Sequence, residues 1–188
     1  VFPGSRKSEI EVLTPILLKA IEQLNKNNKD ITYVFHSTKE YSSSIQKRIS
    51  QSELINCEVI SDDKIKSHIL RKSIFAIAKS GTVSLEVCNF KIPSIILYKM
   101  NLINFLIVKM LVKTKFANII NIAAKKEIIP ELLQGKCNPK NISNKVTYFL
   151  DNPEKMEEQI NETQIILKSF KTNNSSAHQA GLSLNKFL

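Results

Sequence analysis

Little in this sequence points to redox, metal or P-loop chemistry. Its three cysteines, Cys57, Cys88 and Cys137, show no C-x-x-C spacing, and its three histidines, His36, His68 and His178, are equally scattered. That pattern argues against a metal site and for structural or surface residues in a reducing compartment. No Gly-Lys-Ser/Thr occurs in a glycine-containing turn, so a P-loop ATPase is excluded. No Ser-His-Asp constellation is visible, since His36, His68 and His178 fall in unrelated elements, and no general base can be assigned. The opening Val1-Phe2-Pro3-Gly4 lacks the basic head and apolar run of a secretory signal. The most apolar helical stretch, residues 101–112, falls short of the ~20 apolar residues that span a bilayer. No internal repeat or low-complexity linker is visible.

What is there fits one domain. The 188 residues are enough for a sizeable core, and 43% hydrophobic with 23% charged residues is ordinary for a globular protein. The net charge of +10 is carried mainly by lysine. It admits nucleic acid, an anionic membrane surface or a phosphorylated substrate as partner, or compositional drift in a chain rich in Lys, Asn and Ile. The basic residues form no dense run with interleaved aromatics, which argues against nucleic acid. The first residue is not Met, and the opening reads as the end of a strand. The expectation is therefore a piece of a longer protein.

Strand and helix alternate along the chain. Ile10, Leu13, Leu17, Leu18, Ile21 and Leu24 recur at helical spacing over residues 8–25. The β-branched and aromatic residues 31–36 predict a strand. A polar helix over 41–53, a strand over 57–60, a helix from Asp62-Asp63 to about 71 and a buried strand over 74–78 follow. Then come a helix over 82–89, a strand over 93–98, the apolar helix over 101–112 and an extended piece over 118–121. A short helix over 131–134, helices over 139–150 and 153–170 with proline near their starts, and a last helix over 176–188 complete the chain. The pattern predicts an α/β fold, a Rossmann-like parallel sheet with helices on both faces. The 101–112 helix fits a buried core helix, a dimer contact or an interfacial membrane helix.

Two corners fit a phosphate. Pro3-Gly4-Ser5-Arg6 and Ser80-Gly81-Thr82-Val83-Ser84-Leu85-Glu86 each connect a strand end to a helix start. Helix starts present unpaired N–H groups and a positive dipole end, and glycine permits close approach. Both lie at strand carboxyl ends, where ligands of such sheets bind, so they should share one rim. Arg6 offers a planar fork of donors, although Glu9 is placed to cap the helix or pair with Arg6. Glu86 lies one helical turn beyond Thr82 and can accept from vicinal ribose hydroxyls.

In order, Pro3–Arg6 with Glu9, Ser-Gly-Thr-x-Ser-Leu-Glu at 80–86, Tyr98-Lys99-Met100, Leu111-Val112-Lys113-Thr114, Asn121, and Pro-Glu-Leu-Leu-Gln at 130–134 make the chain resemble the C-terminal half of the lipid-A-disaccharide synthase family. The resemblance implies the C-terminal, donor-nucleotide-binding domain of a GT-B fold over residues 1–188, with the helices from about 153 packing toward an N-terminal domain. It implies hexosyl transfer with inversion from UDP-2,3-diacylglucosamine to 2,3-diacylglucosamine 1-phosphate, giving lipid A disaccharide 1-phosphate and UDP. It implies no metal or other cofactor, and a base in the N-terminal half of the same enzyme, so that no catalytic residue lies in this chain. A homodimer and a cytoplasmic location at the inner face of the bacterial inner membrane follow as further expectations. Carried over as UDP-binding residues are Gly4, Ser5, Arg6, Ser80, Gly81, Thr82, Glu86, Asn121 and Gln134. The chain departs from the family in having Asn-Ile-Ile-Asn at 118–121 rather than Ser-x-Pro-Asn. The alternatives are another GT-B or epimerase domain using UDP-N-acetylglucosamine, or a non-catalytic basic membrane-binding module.

Overall fold

The computed structural model describes residues 1–26, 30–100 and 115–170. The expected helices over 101–112 and 176–188, and the Leu111–Thr114 stretch, lie outside the described residues. Helix α1 spans Lys7–Asn25, followed by strand β1 (Tyr33–His36), helix α2 (Lys39–Ser50) and strand β2 (Cys57–Ile60). Helix α3 (Asp63–Lys72) begins on the Asp62 carboxylate, which accepts from the N–H groups of Lys64 and Ile65. Strand β3 (Ala76–Lys79), helix α4 (Val83–Asn89) and strand β4 (Ser94–Tyr98) come next.

The next segments differ from the sequence expectation. Of residues 118–121, only Asn118 is extended; 119–121 are helical. Asn118 caps helix α5 (Ile119–Ala124), its side chain accepting from Ile120 N at 2.9 Å. Residues 131–134 are not helical. Glu131–Leu133 form strand β5, and a 3-10 turn over Gln134–Lys136 follows. Three residues are too few for periodicity to separate strand from helix, so pairing with β4 decides. Helices α6 (Pro139–Asp151) and α7 (Pro153–Phe170) match the expectation.

All strand pairs are parallel: β1 with β2, and β3 with β4 with β5. Val1 and Phe2 join the two sheets. Val1 N donates to Val34 O and His36 N to Val1 O, while Phe2 N donates to Ile77 O and Lys79 N to Phe2 O. The resulting order is β2, β1, Val1-Phe2, β3, β4, β5. Counted from Val1-Phe2 as the first strand, it is the 3-2-1-4-5-6 order of a Rossmann sheet. The connections diverge between Val1-Phe2 and β3, and a ligand crevice is expected at that switch point.

Strand alternation explains the two-sided core. Ile77, Ile95 and Leu97 face one layer with Leu13, Leu17, Ile21, Ile142 and Phe149, from α1 and α6. Ala76, Ala78 and Ile96 face the other, with Val87, Ile120 and Leu167, from α4, α5 and α7. Helix α7 is tied to this domain as well. Buried Gln159 accepts from Ser94 N at 2.6 Å and donates to Ser94 O and Ile128 O. Among the described residues no helix is long and apolar enough to cross a membrane.

Candidate functional site

The two glycine corners meet. A cavity of about 370 Å³ is lined by Gly4 and Ser5 from the first, by Ser80, Gly81, Thr82, Val83 and Glu86 from the second, and by His36, Ser37 and Thr38 from the end of β1. Glu9, Lys66 and Lys79 complete its charged wall. It opens at the switch point, where the carboxyl ends of Val1-Phe2, β1 and β3 converge.

The first corner is already occupied by the protein itself. Glu9 Oε2 accepts from Ser5 N at 3.1 Å and Arg6 N at 3.4 Å. Its Oε1 lies 2.9 Å from Lys79 Nζ and 3.7 Å from Arg6 Nη1. Burial works against this carboxylate, but Lys79 and the two N–H groups outweigh it and hold Glu9 below the usual carboxylate range. Gly4 has φ +121°, a backbone that favours glycine. The Arg6 side chain is 79% exposed and does not line the cavity. The donor fork expected there points instead to Glu9 and solvent.

The second corner differs. Among the described residues no acceptor engages the N–H of Gly81, Thr82 or Val83, and the first return bonds run from Ser84 N to Gly81 O and Leu85 N to Thr82 O. The Ser80 hydroxyl donates to Ala117 O at 2.9 Å and so fixes the corner against the segment before α5. Glu86 lines the cavity with its Oε1 3.0 Å from Lys66 Nζ. Lys66 also lies 2.9 Å from Asp63 Oδ1.

Asn121 is not a cavity residue. It is fully buried, donates to Ile129 O and Glu131 Oε1, and accepts from Ile128 N and Ile129 N. Every hydrogen-bonding position of its amide is spent inside the fold, so it does not line the cavity as the polar contact to the donor expected of it. Glu131 is the second member of this scaffold, accepting from Ala117 N at 2.7 Å, Asn118 N at 3.0 Å and Asn121 Nδ2 at 2.8 Å. Gln134 also lies away from the cavity. It sits at φ +48° at the end of β5, where its Oε1 accepts from Met100 N.

Sequence reading missed Lys66, Lys79, His36 and Ser37. Lys79 and His36 end β3 and β1, so strand position was a usable signal for both. Lys66 carried none. Among the described residues the buried Ser37 hydroxyl has no hydrogen-bond partner, and neither has buried His36 Nε2, which lies 3.7 Å from Asp63 Oδ1. Burial, and then Lys66, push the His36 imidazole below its ordinary value against the pull of Asp63 and Glu86. Burial raises each of the three thiols to about 11, which disfavours the thiolate that would act as a nucleophile. The site can bind an anion with a polyhydroxylated neighbour.

A family model of lipid-A-disaccharide synthetase matches residues 1–183. The chain is 35% identical over 179 residues to the lipid-A-disaccharide synthase of Rickettsia prowazekii (strain Madrid E), covering 94% of this chain and 47% of that protein. It is also 35% identical over 172 residues to the lipid-A-disaccharide synthase of Persephonella marina (strain DSM 14350 / EX-H1), covering 90% of this chain and 45% of that protein. The chain thus spans a little under half the length of these curated relatives, and it matches their C-terminal part. Among solved structures, one described as a UDP-N-acetylglucosamine 2-epimerase from Listeria monocytogenes superposes with a TM-score of 0.57 at 14% identity, over 85% of this chain and 38% of that one. At that identity the likeness speaks for the fold alone, a Rossmann-like domain of GT-B type.

Proposed function

This chain belongs to the lipid-A-disaccharide synthetase family, and we propose that it forms the UDP-sugar donor site of such a glycosyltransferase. The observation that carries the reading is the shared cavity: both glycine corners and Glu86 line it at the switch point of the sheet. The diphosphate is assigned to the N–H groups of Gly81, Thr82 and Val83 and the Thr82 hydroxyl. Glu86 is assigned to the ribose hydroxyls. The Gly4-Ser5 corner forms the opposite wall, and Arg6, outside the cavity lining, stays beside Glu9.

The reaction proposed for the complete enzyme moves a hexosyl unit from UDP-2,3-diacylglucosamine to the 6-hydroxyl of 2,3-diacylglucosamine 1-phosphate, with inversion and release of UDP. The base for that hydroxyl belongs to the N-terminal half. The net charge of +10 suits work at an anionic inner-membrane surface.

Isothermal titration of the chain with UDP tests the reading. Saturable binding that weakens on Thr82→Ala is expected, and absence of UDP binding overturns it. In the complete enzyme, an acylated donor should be turned over and UDP-N-acetylglucosamine should not. The opposite preference would assign the site to a different sugar-nucleotide enzyme.

A further inference from the structure

The cavity wall carries equal numbers of opposite charges. Glu9 and Glu86 face Lys79 and Lys66, and each lysine is paired within 3.0 Å. Among the described residues, a lining lysine therefore meets an incoming diphosphate only by leaving an internal partner. The two lysines differ in how easily they can be released. Lys66 is shared between Asp63 at 2.9 Å and Glu86 at 3.0 Å, so moving it leaves two carboxylates uncompensated. Among the described residues, Lys79 is ion-paired with Glu9 alone. Without it, Glu9 still accepts from Ser5 N and Arg6 N and keeps the Arg6 guanidinium at 3.7 Å. Lys79 is anchored by its backbone N–H, which donates to Phe2 O, and its Nζ lies 5.5 Å over the Tyr98 ring. The side chain is 22% exposed, enough for the ammonium to turn toward the cavity while its stem stays fixed. The Ser37 hydroxyl in the same wall, without a hydrogen-bond partner among the described residues, marks the cavity as one shaped for a polar ligand.

We propose that Lys79 meets the diphosphate of the bound nucleotide, exchanging Glu9 for it, and that Glu9 is the resting partner that keeps this cation in place when the site is empty. The assignment rests on the donor-site reading above. It adds a diphosphate-specific contact that comes from the last residue of β3 rather than from either glycine corner.

The test is titration of the 188-residue chain and its variants with UDP and with uridine, followed by calorimetry for the first and NMR shifts for the second. Lys79→Met should weaken UDP about tenfold and leave uridine unchanged, because only UDP carries the charge that Lys79 meets. Lys79→Arg should restore most of the UDP affinity while keeping Glu9 paired, which separates charge from fold. The wild-type dependence of UDP affinity on salt should be steeper than that of Lys79→Met. UDP affinity equal in wild type and Lys79→Met, or equal losses for UDP and uridine, overturns the Lys79 assignment and leaves the donor site standing. A wild type that binds no UDP overturns both.

Discussion

Glu9 stands where a side chain on Gly4 would have to be. A Cβ at Gly4 would lie 2.5 Å from Glu9 Oε2 and 2.7 Å from Glu9 Cβ. The glycine of the first corner therefore serves the carboxylate that fills it. Gly81 differs, since a Cβ there would meet nothing within 4 Å. Gly4→Ala should cost at least ~2 kcal/mol through strained backbone and the clash with Glu9, whereas Gly81→Ala should stay within about 0.5 kcal/mol. Urea unfolding measures both, and equal midpoints for the two variants would refute the distinction.

Asn121 and Glu131 should behave as one scaffold unit. Asn121→Ala leaves the N–H groups of Ile128 and Ile129 without their acceptor and removes one donor from Glu131. A loss of about 3 kcal/mol is expected, with a similar loss for Glu131→Ala. The double variant should be less destabilised than the sum of the two, by more than about 0.5 kcal/mol. Additive losses in denaturant titrations would show that the two side chains do not act together.

Glu86 is the residue through which the site should read ribose. Wild type should prefer UDP to 2′-deoxy-UDP by about tenfold, the size expected for a hydrogen bond to a charged acceptor. Glu86→Gln should narrow that preference to within about threefold. If it leaves the ratio unchanged, the ribose assignment fails while the diphosphate assignment survives.

The pH response follows from His36, whose charged form the fold disfavours. Burial with Lys66 lowers its imidazole from 6.5. The unfolded chain therefore takes up this proton before the folded one does. The contribution of His36 to stability is thus complete above 6.5 and falls as pH drops below it. The His36 Cε1–H resonance should titrate with a midpoint below 6.5, and Lys66→Met should move that midpoint up. An unshifted midpoint in wild type, or a downward move in the variant, would contradict the electrostatics of the cavity wall.

The alternation of elements was legible because each rests on local physics. Helical spacing from Ile10 to Leu24, the β-branched run ending at His36 and the cap at Asp62 are properties of neighbouring residues. The convergence of the two corners was legible too, since parallel strands put their carboxyl ends on one rim. The segments at 118–121 and 131–134 were not. Asn118–Asn121 carries apolar residues without a period long enough to decide, and Glu131–Leu133 is a strand only because β4 accepts it as a partner.

The sequence by itself determined that this is a parallel α/β domain with two glycine corners on a common edge, because strand alternation, helix periodicity and chirality act over short range. Only the tertiary structure decided which corner the protein itself occupies. Glu9 fills the first corner and Lys79 holds it there, Lys66 reaches Glu86 from another helix, and Asn121 turns inward to Glu131. These are pairings of charge and hydrogen bonds between residues brought together by packing, and local pattern carries no record of which partner a polar side chain will find.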